Sequence, residues 1–224
     1  LEYRFAALRD SELAPLAKAF ALLEDTKRFG TLPFAHLARN AFVAMTLLRT
    51  AVSTGVITDE DMDYFLQSLK SVSQAFAEDA IKCANNDLSW ENFIDRYGHL
   101  RPGSYDITSA NYQENSEQYL RPLFTQVRAV HDPLQYSSGL WRPALQKLTT
   151  AMVAAGLPVD DVMVDSFLRG AIEGREYSKF IFSRNLSLAL ELFSTWGESQ
   201  GITRSDLAML DLGDLRAARN SSEI

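Results

Sequence analysis

The chain has 224 residues, with 22 lysines and arginines against 29 aspartates and glutamates, a net charge of −7 and one cysteine. Its 46% hydrophobic and 11% aromatic residues supply a core for one large domain or two small ones and exclude a disordered tail. The acidic balance argues against nucleic acid as a partner. No apolar run approaches the ~20 residues of a membrane span, so no membrane partner is expected. The lone Cys83 forms neither an internal disulfide nor a cysteine-rich zinc site, the usage expected of a cytoplasmic protein.

Glycine and proline total 18 residues and fall between periodic blocks rather than inside them, so the chain reads as helices separated by punctuation. The first clear block begins near Pro33, a residue tolerated in a first helical turn. Phe34, Leu37, Phe42, Met45, Leu48 and Val52 then recur at helical spacing, and Gly55 supplies the stop. Thr58 with Asp61 forms an approximate capping box for a second stripe through Met62, Phe65, Leu69, Val72, Phe76 and Ile81, ending at Asn85-Asn86. Ser89 caps a short helix through Trp90, Phe93 and Ile94, closed by Gly98.

Residues 98–119 break the pattern. Pro102-Gly103 is a turn signal, and a connection of this length between helices commonly has a functional reason. Helices resume over Leu120–Val130 and through Trp141, Leu145, Leu148 and Met152, stopped by Gly156-Leu157-Pro158. From Asp160 to about Gln200 the sequence is compatible with one long helix, or with two that meet at an irregularity near Gly170 or Gly174. Thr203 with Asp206 is a further cap, and Asp211 with Asp214 opens a last short turn. The expectation is a single all-α, orthogonal or bundle-like domain over 1–224 with one long irregular loop, cut from a longer multidomain protein that begins before Leu1.

No phosphate-cradling glycine loop, dinucleotide fingerprint or zinc-protease motif occurs. His36, His99 and His131 lie in unrelated segments, so no metal site is expected, and Cys83 reads as a small buried hydrophobe. Three segments carry chemistry. In the first, His99, Arg101, Tyr105 and Asp106 offer an anion binder, an imidazole and an orienting carboxylate; the alternative is a structural loop in which Arg101 pairs with Asp106. In the second, Arg175 and Lys179 share a helix face at i, i+4, an arrangement relieved by Glu176 pairing with Lys179 or by a bound anion. In the third, Lys27 and Arg28 precede a helix start, where free N–H groups favour anions, or else they sit favourably at the end of the preceding helix.

Thr26-Lys27-Arg28-Phe29-Gly30-Thr31-Leu32-Pro33-Phe34-Ala35, Tyr97-Gly98-His99-Leu100-Arg101-Pro102-Gly103-Ser104-Tyr105-Asp106-Ile107 and Glu173-Gly174-Arg175-Glu176-Tyr177-Ser178-Lys179-Phe180 together resemble one family. It is that of the phosphoenolpyruvate synthase-like proteins, the modular phosphotransferases related to pyruvate phosphate dikinase and rifampin phosphotransferase. Thr203-Arg204-Ser205-Asp206-Leu207 is similar too, and the resemblance runs from about residue 20 to 212.

The resemblance implies a parent that moves phosphate from ATP, with magnesium, through a phosphohistidine to a small acceptor such as pyruvate. This chain resembles the helical middle of such a parent. The ATP-grasp and phosphohistidine domains, its expected partners, would lie outside it, and no cofactor is expected within it. His99 follows one glycine and precedes Leu-Arg, outside the family's phosphocarrier context. His99, Arg101, Tyr105, Asp106, Arg175, Glu176 and Lys179 would then line or serve an acceptor site, with Lys27 and Arg28 as weaker candidates. The rival reading is a non-catalytic helical module that binds a partner protein between its helices.

Overall fold

The computed structural model describes residues 1–122 and 140–222. Among these residues the chain is helical with no strand. The expected helix over Leu120–Val130 lies outside them beyond Pro122, as does His131. In chain order the helices are α1 (Glu2–Arg9), α2 (Pro15–Asp25), a π-helical segment (Thr26–Thr31), α3 (Leu32–Ser53), α4 (Asp59–Gln67), α5 (Val72–Ala84) and α6 (Trp90–Tyr97). They continue with α7 (Ser116–Tyr119), α8 (Arg142–Ala154), α9 (Asp161–Ser199), α10 (Arg204–Leu207) and α11 (Leu212–Ser222). The stretch from Asp160 to Gln200 forms one 39-residue helix, and neither Gly170 nor Gly174 interrupts it.

Local signals account for several ends. Thr58 and Asp61 exchange side-chain and backbone hydrogen bonds at the start of α4, and Thr203 with Asp206 does the same for α10. Ser89 Oγ accepts from the Asn92 amide to open α6. Gly55, with φ +73°, and Gly156, with φ +90°, take the left-handed conformation just beyond α3 and α8, where glycine carries no Cβ penalty.

Two expectations are corrected. The stripe from Met62 to Ile81 is two helices, not one. At the break, Lys70 donates its amide to Glu173 Oε1, Ser73 donates its amide and hydroxyl to Glu176 Oε1, and Ser71 Oγ accepts from Gln74. Orphan donors at the start of α5 are thus met by carboxylates about a hundred residues away in sequence. α3 begins beside Pro33, at Leu32, but not as a free helix start. α2, the π segment and α3 follow without interruption, and Pro33 lies just inside α3. Proline lacks the N–H that would bond the carbonyl of Phe29, and the wider π turn before it relieves the ring's clash with that carbonyl.

The described residues fall into two compact units. One draws on 1–32, 76–122 and 179–222, the other on 33–75 and 140–178. In the first, Leu16, Ala19 and Leu22 of α2 pack with Ala189 and Phe193 of α9, Leu207 and Leu215. Phe20 meets Phe193 edge to face at 5.5 Å. A second cluster joins Phe76, Phe93, Tyr97 and Phe180 at centroid distances of 4.9–5.8 Å. In the second unit, Ala44 and Leu48 of α3, Phe65 of α4, Trp141, Leu145 and Leu148, and Val164 and Leu168 of α9 form one core. Burying each of the leucines and phenylalanines contributes about 1.5–3 kcal/mol.

Candidate functional site

The irregular segment after α6 is a closed loop. The amides of Tyr112 and Gln113 donate to the carbonyls of Leu100 (2.7 Å) and Gly98 (3.0 Å), so both strands of the neck lie side by side. A Cβ on Gly98 would come 2.5 Å from the Ile94 carbonyl, which leaves room for glycine alone at the neck. Helix α7 takes the last residues of the stretch expected to be irregular.

Arg101 fills the loop, its side chain 1% exposed. Its Nη1 donates to the carbonyls of Asp106 (3.3 Å) and Ser109 (3.0 Å), and its Nη2 to Ser187 Oγ (3.0 Å) and Glu191 Oε1 (2.6 Å) on α9. The expected pairing of Arg101 with the Asp106 carboxylate does not form. That carboxylate turns back on its own loop and accepts from the Thr108 amide (2.9 Å) and hydroxyl (2.7 Å), contacts that hold its pKa below the usual range. Arg101 instead reaches a carboxylate ninety residues away. Its other polar contacts are backbone carbonyls and a serine, so it pins the loop rather than offering a fork to a ligand.

Glu191 is shared. Its second oxygen accepts from Arg204 Nη2 (2.7 Å), which also reaches Glu114 Oε1 (2.6 Å), while Arg204 Nε donates to Ser194 Oγ. Glu114 in turn exchanges hydrogen bonds with Asn111 at the end of the loop. Burial and the neighbouring Glu114 raise the pKa of Glu191 against the pull of its two arginines. Sequence reasoning missed Glu191, Arg204 and Glu114. A signal existed for Glu191, a solitary carboxylate within Leu186–Phe193 that no solvated face accounts for.

His99 sits beneath the loop. Its Nε2 lies 3.3 Å from the carbonyl of Phe180 and its ring meets that phenyl edge-on at 4.9 Å. Burial pushes the pKa down to about 4 and Arg184 pushes the same way, against backbone hydrogen bonds that favour the charged ring. A ring so buried and so weakly basic does not shuttle protons at neutral pH. Nearby, Asp79 is buried and accepts from Tyr97 Oη (3.0 Å), Arg96 Nη1 (2.6 Å) and Lys82 Nζ (3.1 Å). Desolvation raises its pKa, but these donors outweigh that and lower it overall.

The remaining candidates divide. Tyr105 stands 66% exposed at the loop tip. Lys179 is exposed on α9 immediately before Phe180, and Arg175 is exposed on the same helix; among the described residues neither makes an ion pair. Glu176 does not pair with Lys179, since its carboxylate is taken by Ser73. Arg28 bonds Glu24 at 2.7 Å, while Lys27 is exposed. Because the helix runs on through the π segment, neither fronts a helix N-terminus, and the helix-start anion site is withdrawn. Asp25 anchors this stretch by accepting from Arg4 at 2.7 and 2.8 Å. Among the described residues no group of three or more His, Cys, Asp or Glu is placed to hold a metal ion.

What the arrangement does bring together is three distant segments. A Cβ on Gly30 would come 2.6 Å from Phe182 Cβ, so the π segment lies directly on α9 there. His99 bonds Phe180 two residues earlier. The loop, the π segment and this part of α9 therefore converge within one unit. Searches against family models, curated proteins and solved structures found no match for the chain.

Proposed function

We propose that this chain is the helical acceptor-binding and interdomain domain of a phosphoenolpyruvate synthase-like phosphotransferase, whose parent moves phosphate from ATP through a phosphohistidine to a small acceptor such as pyruvate. The observation that carries the reading is that the first two runs bearing the resemblance meet α9 beside Phe180, where the third run ends. Gly30 lies against Phe182 and His99 against Phe180, although they are separated by many tens of residues in sequence. A run shared for scaffold reasons alone has no need to meet at one place.

In this reading Arg101 is a positioning residue. It fixes the loop that presents Tyr105, while Lys179 at the convergence supplies positive charge toward a phosphorylated species. The ATP-grasp and phosphohistidine domains, with their nucleotide and magnesium, belong to the parent. One observation favours the rival reading, a non-catalytic helical interaction module. The guanidinium of Arg101 is consumed within the fold, which removes a group an acceptor site would use.

The test is phosphate transfer by the full-length gene product supplied with ATP, magnesium and pyruvate, comparing wild type with Lys179→Met. Removing a charged contact made in the transition state lowers the rate about 10²–10³-fold, with far-ultraviolet circular dichroism unchanged. A folded Lys179→Met protein with wild-type turnover removes Lys179 from the site. A full-length product that consumes no ATP overturns the phosphotransferase reading and leaves the interaction module.

A further inference from the structure

Helix α3 buries small side chains and turns large ones outward. Ala41, Ala44, Leu48 and Ala51 are its buried residues, with Met45, Leu47 and Val52 packed partly against the same core of the second unit. Phe42, expected in the core stripe, stands 69% exposed, and Val43 beside it is 57% exposed. Burying a phenylalanine stabilises a fold far more than burying an alanine, so folding alone does not explain this orientation.

The outer face has a charge pattern of its own. Arg39, Phe42, Val43, Thr46 and Arg49 recur at three- and four-residue spacing, a continuous stripe over about three turns, and all five are exposed. Neither arginine makes an ion pair among the described residues. From Thr26 to Thr58 the chain has no aspartate or glutamate, although its net charge is −7. An apolar pair is thus bracketed by two unanswered guanidiniums, which suit carboxylates better than any other side chain. The complement is a helix with apolar residues along one face and acids at its flanks, the helix-on-helix mode of peptide recognition. A second copy paired two-fold through this stripe would set arginine against arginine with no acid to answer either. An anionic membrane calls for clusters of about 4–8 basic residues, which two arginines on an acidic chain do not supply.

We infer that the outer face of α3 docks an acidic amphipathic helix of a partner protein, with its apolar side chains on Phe42 and Val43 and its carboxylates on Arg39 and Arg49. The inference stands independently of the phosphotransferase reading, since residues 39–49 lie outside the runs on which that reading rests.

The probe is a synthetic helical peptide with leucines along one face and glutamates on both flanks, titrated into the isotopically labelled full chain while amide resonances are followed. Saturable shifts are expected at Arg39, Phe42, Val43, Thr46 and Arg49. The same peptide with glutamine for every glutamate lacks the charge, and a scrambled version lacks the apolar face; each should bind at least tenfold more weakly. The double variant Arg39→Glu, Arg49→Glu and the single variant Phe42→Ser should each weaken the acidic peptide at least tenfold, with circular dichroism unchanged. Shifts that map away from α3, equal affinity for the glutamine or scrambled peptide, or wild-type affinity in either variant would each overturn the inference. Phosphatidylserine vesicles and sedimentation equilibrium of the chain alone complete the test. If the peptide leaves α3 unshifted while vesicle binding or self-association is lost in the same variants, the inference is overturned in favour of a lipid surface or a second copy.

Discussion

Replacing Arg101 by alanine removes a buried side chain that ties the closed loop to α9. Five acceptors lose a donor: the carbonyls of Asp106, Ser109 and Ser187, Ser187 Oγ, and one oxygen of Glu191. Breaking a buried ion pair from one side costs about 3–5 kcal/mol. Glu191 is not fully stranded, however: it keeps Arg204 at 2.7 Å, and its side chain is 22% exposed. The loop carbonyls at Ser109 and Asp106 can reach water once the arginine has gone. The expected loss is therefore about 2–4 kcal/mol, or a fall of roughly 5–15 °C in thermal midpoint for a chain of this size. Lysine at the same position keeps the charge but not the planar fork, and should recover less than half of that loss. The assay is thermal unfolding followed by circular dichroism, paired with hydrogen exchange at the Tyr112 and Gln113 amides that close the neck. An Arg101→Ala protein with a midpoint within about 1 °C of wild type and both amides still protected would refute the argument that Arg101 holds the loop.

Two further outcomes follow from the same geometry. His99 has a folded pKa of about 4, below the ~6.5 of the unfolded chain. The unfolded state therefore binds protons more readily, and the contribution of His99 to stability is complete above about pH 6.5 and lost as the pH falls toward 4. Denaturation midpoints of wild type and His99→Gln across this window should differ in slope by about 3 kcal/mol in total, and parallel profiles would contradict the burial of a neutral ring. Gly30→Ala puts a methyl 2.6 Å from Phe182 Cβ. The overpacking, about 1–3 kcal/mol, should exceed the gain of about 1 kcal/mol in helix propensity, so chemical denaturation should show a less stable protein, and a more stable one would contradict the close contact.

Much of the architecture was legible because it depends on neighbours in sequence. Capping boxes act across three residues, and Thr58 with Asp61 and Thr203 with Asp206 could be read from spacing alone. So could the stops at Gly55 and Gly156. The break between α4 and α5 could not be read, because its donors are satisfied by Glu173 and Glu176, and an uninterrupted apolar stripe concealed it. Pro33 misled for a related reason. A local rule permits proline in a first helical turn, and only the preceding π turn shows that the helix was already under way. The candidate loop was visible as an interruption, but its internal wiring was not. Asp106, five residues from Arg101, was the obvious partner, yet its carboxylate is better served by Thr108 two residues on, while Glu191 stands half-buried on α9 within reach of both Arg101 and Arg204. What remained illegible was pairing across long separations in the chain.

The closed neck of the loop has a consequence for changing the protein. Because Gly98 and Leu100 face Gln113 and Tyr112 through two backbone hydrogen bonds, the excursion between them leaves and returns at the same point. Its length is thus decoupled from the helices on either side. The guanidinium of Arg101 grips the inside of the excursion through main-chain carbonyls at Asp106 and Ser109, groups that every amino acid possesses. Pro102, Ser104 and Tyr105 at the tip can accordingly be rewritten in sequence while the anchor reads only backbone, with Gly103 kept because a Cβ there would come 2.8 Å from Asp106 Cβ. A library randomised there would present variable side chains from a fixed mount, much as antibody loops do on their framework.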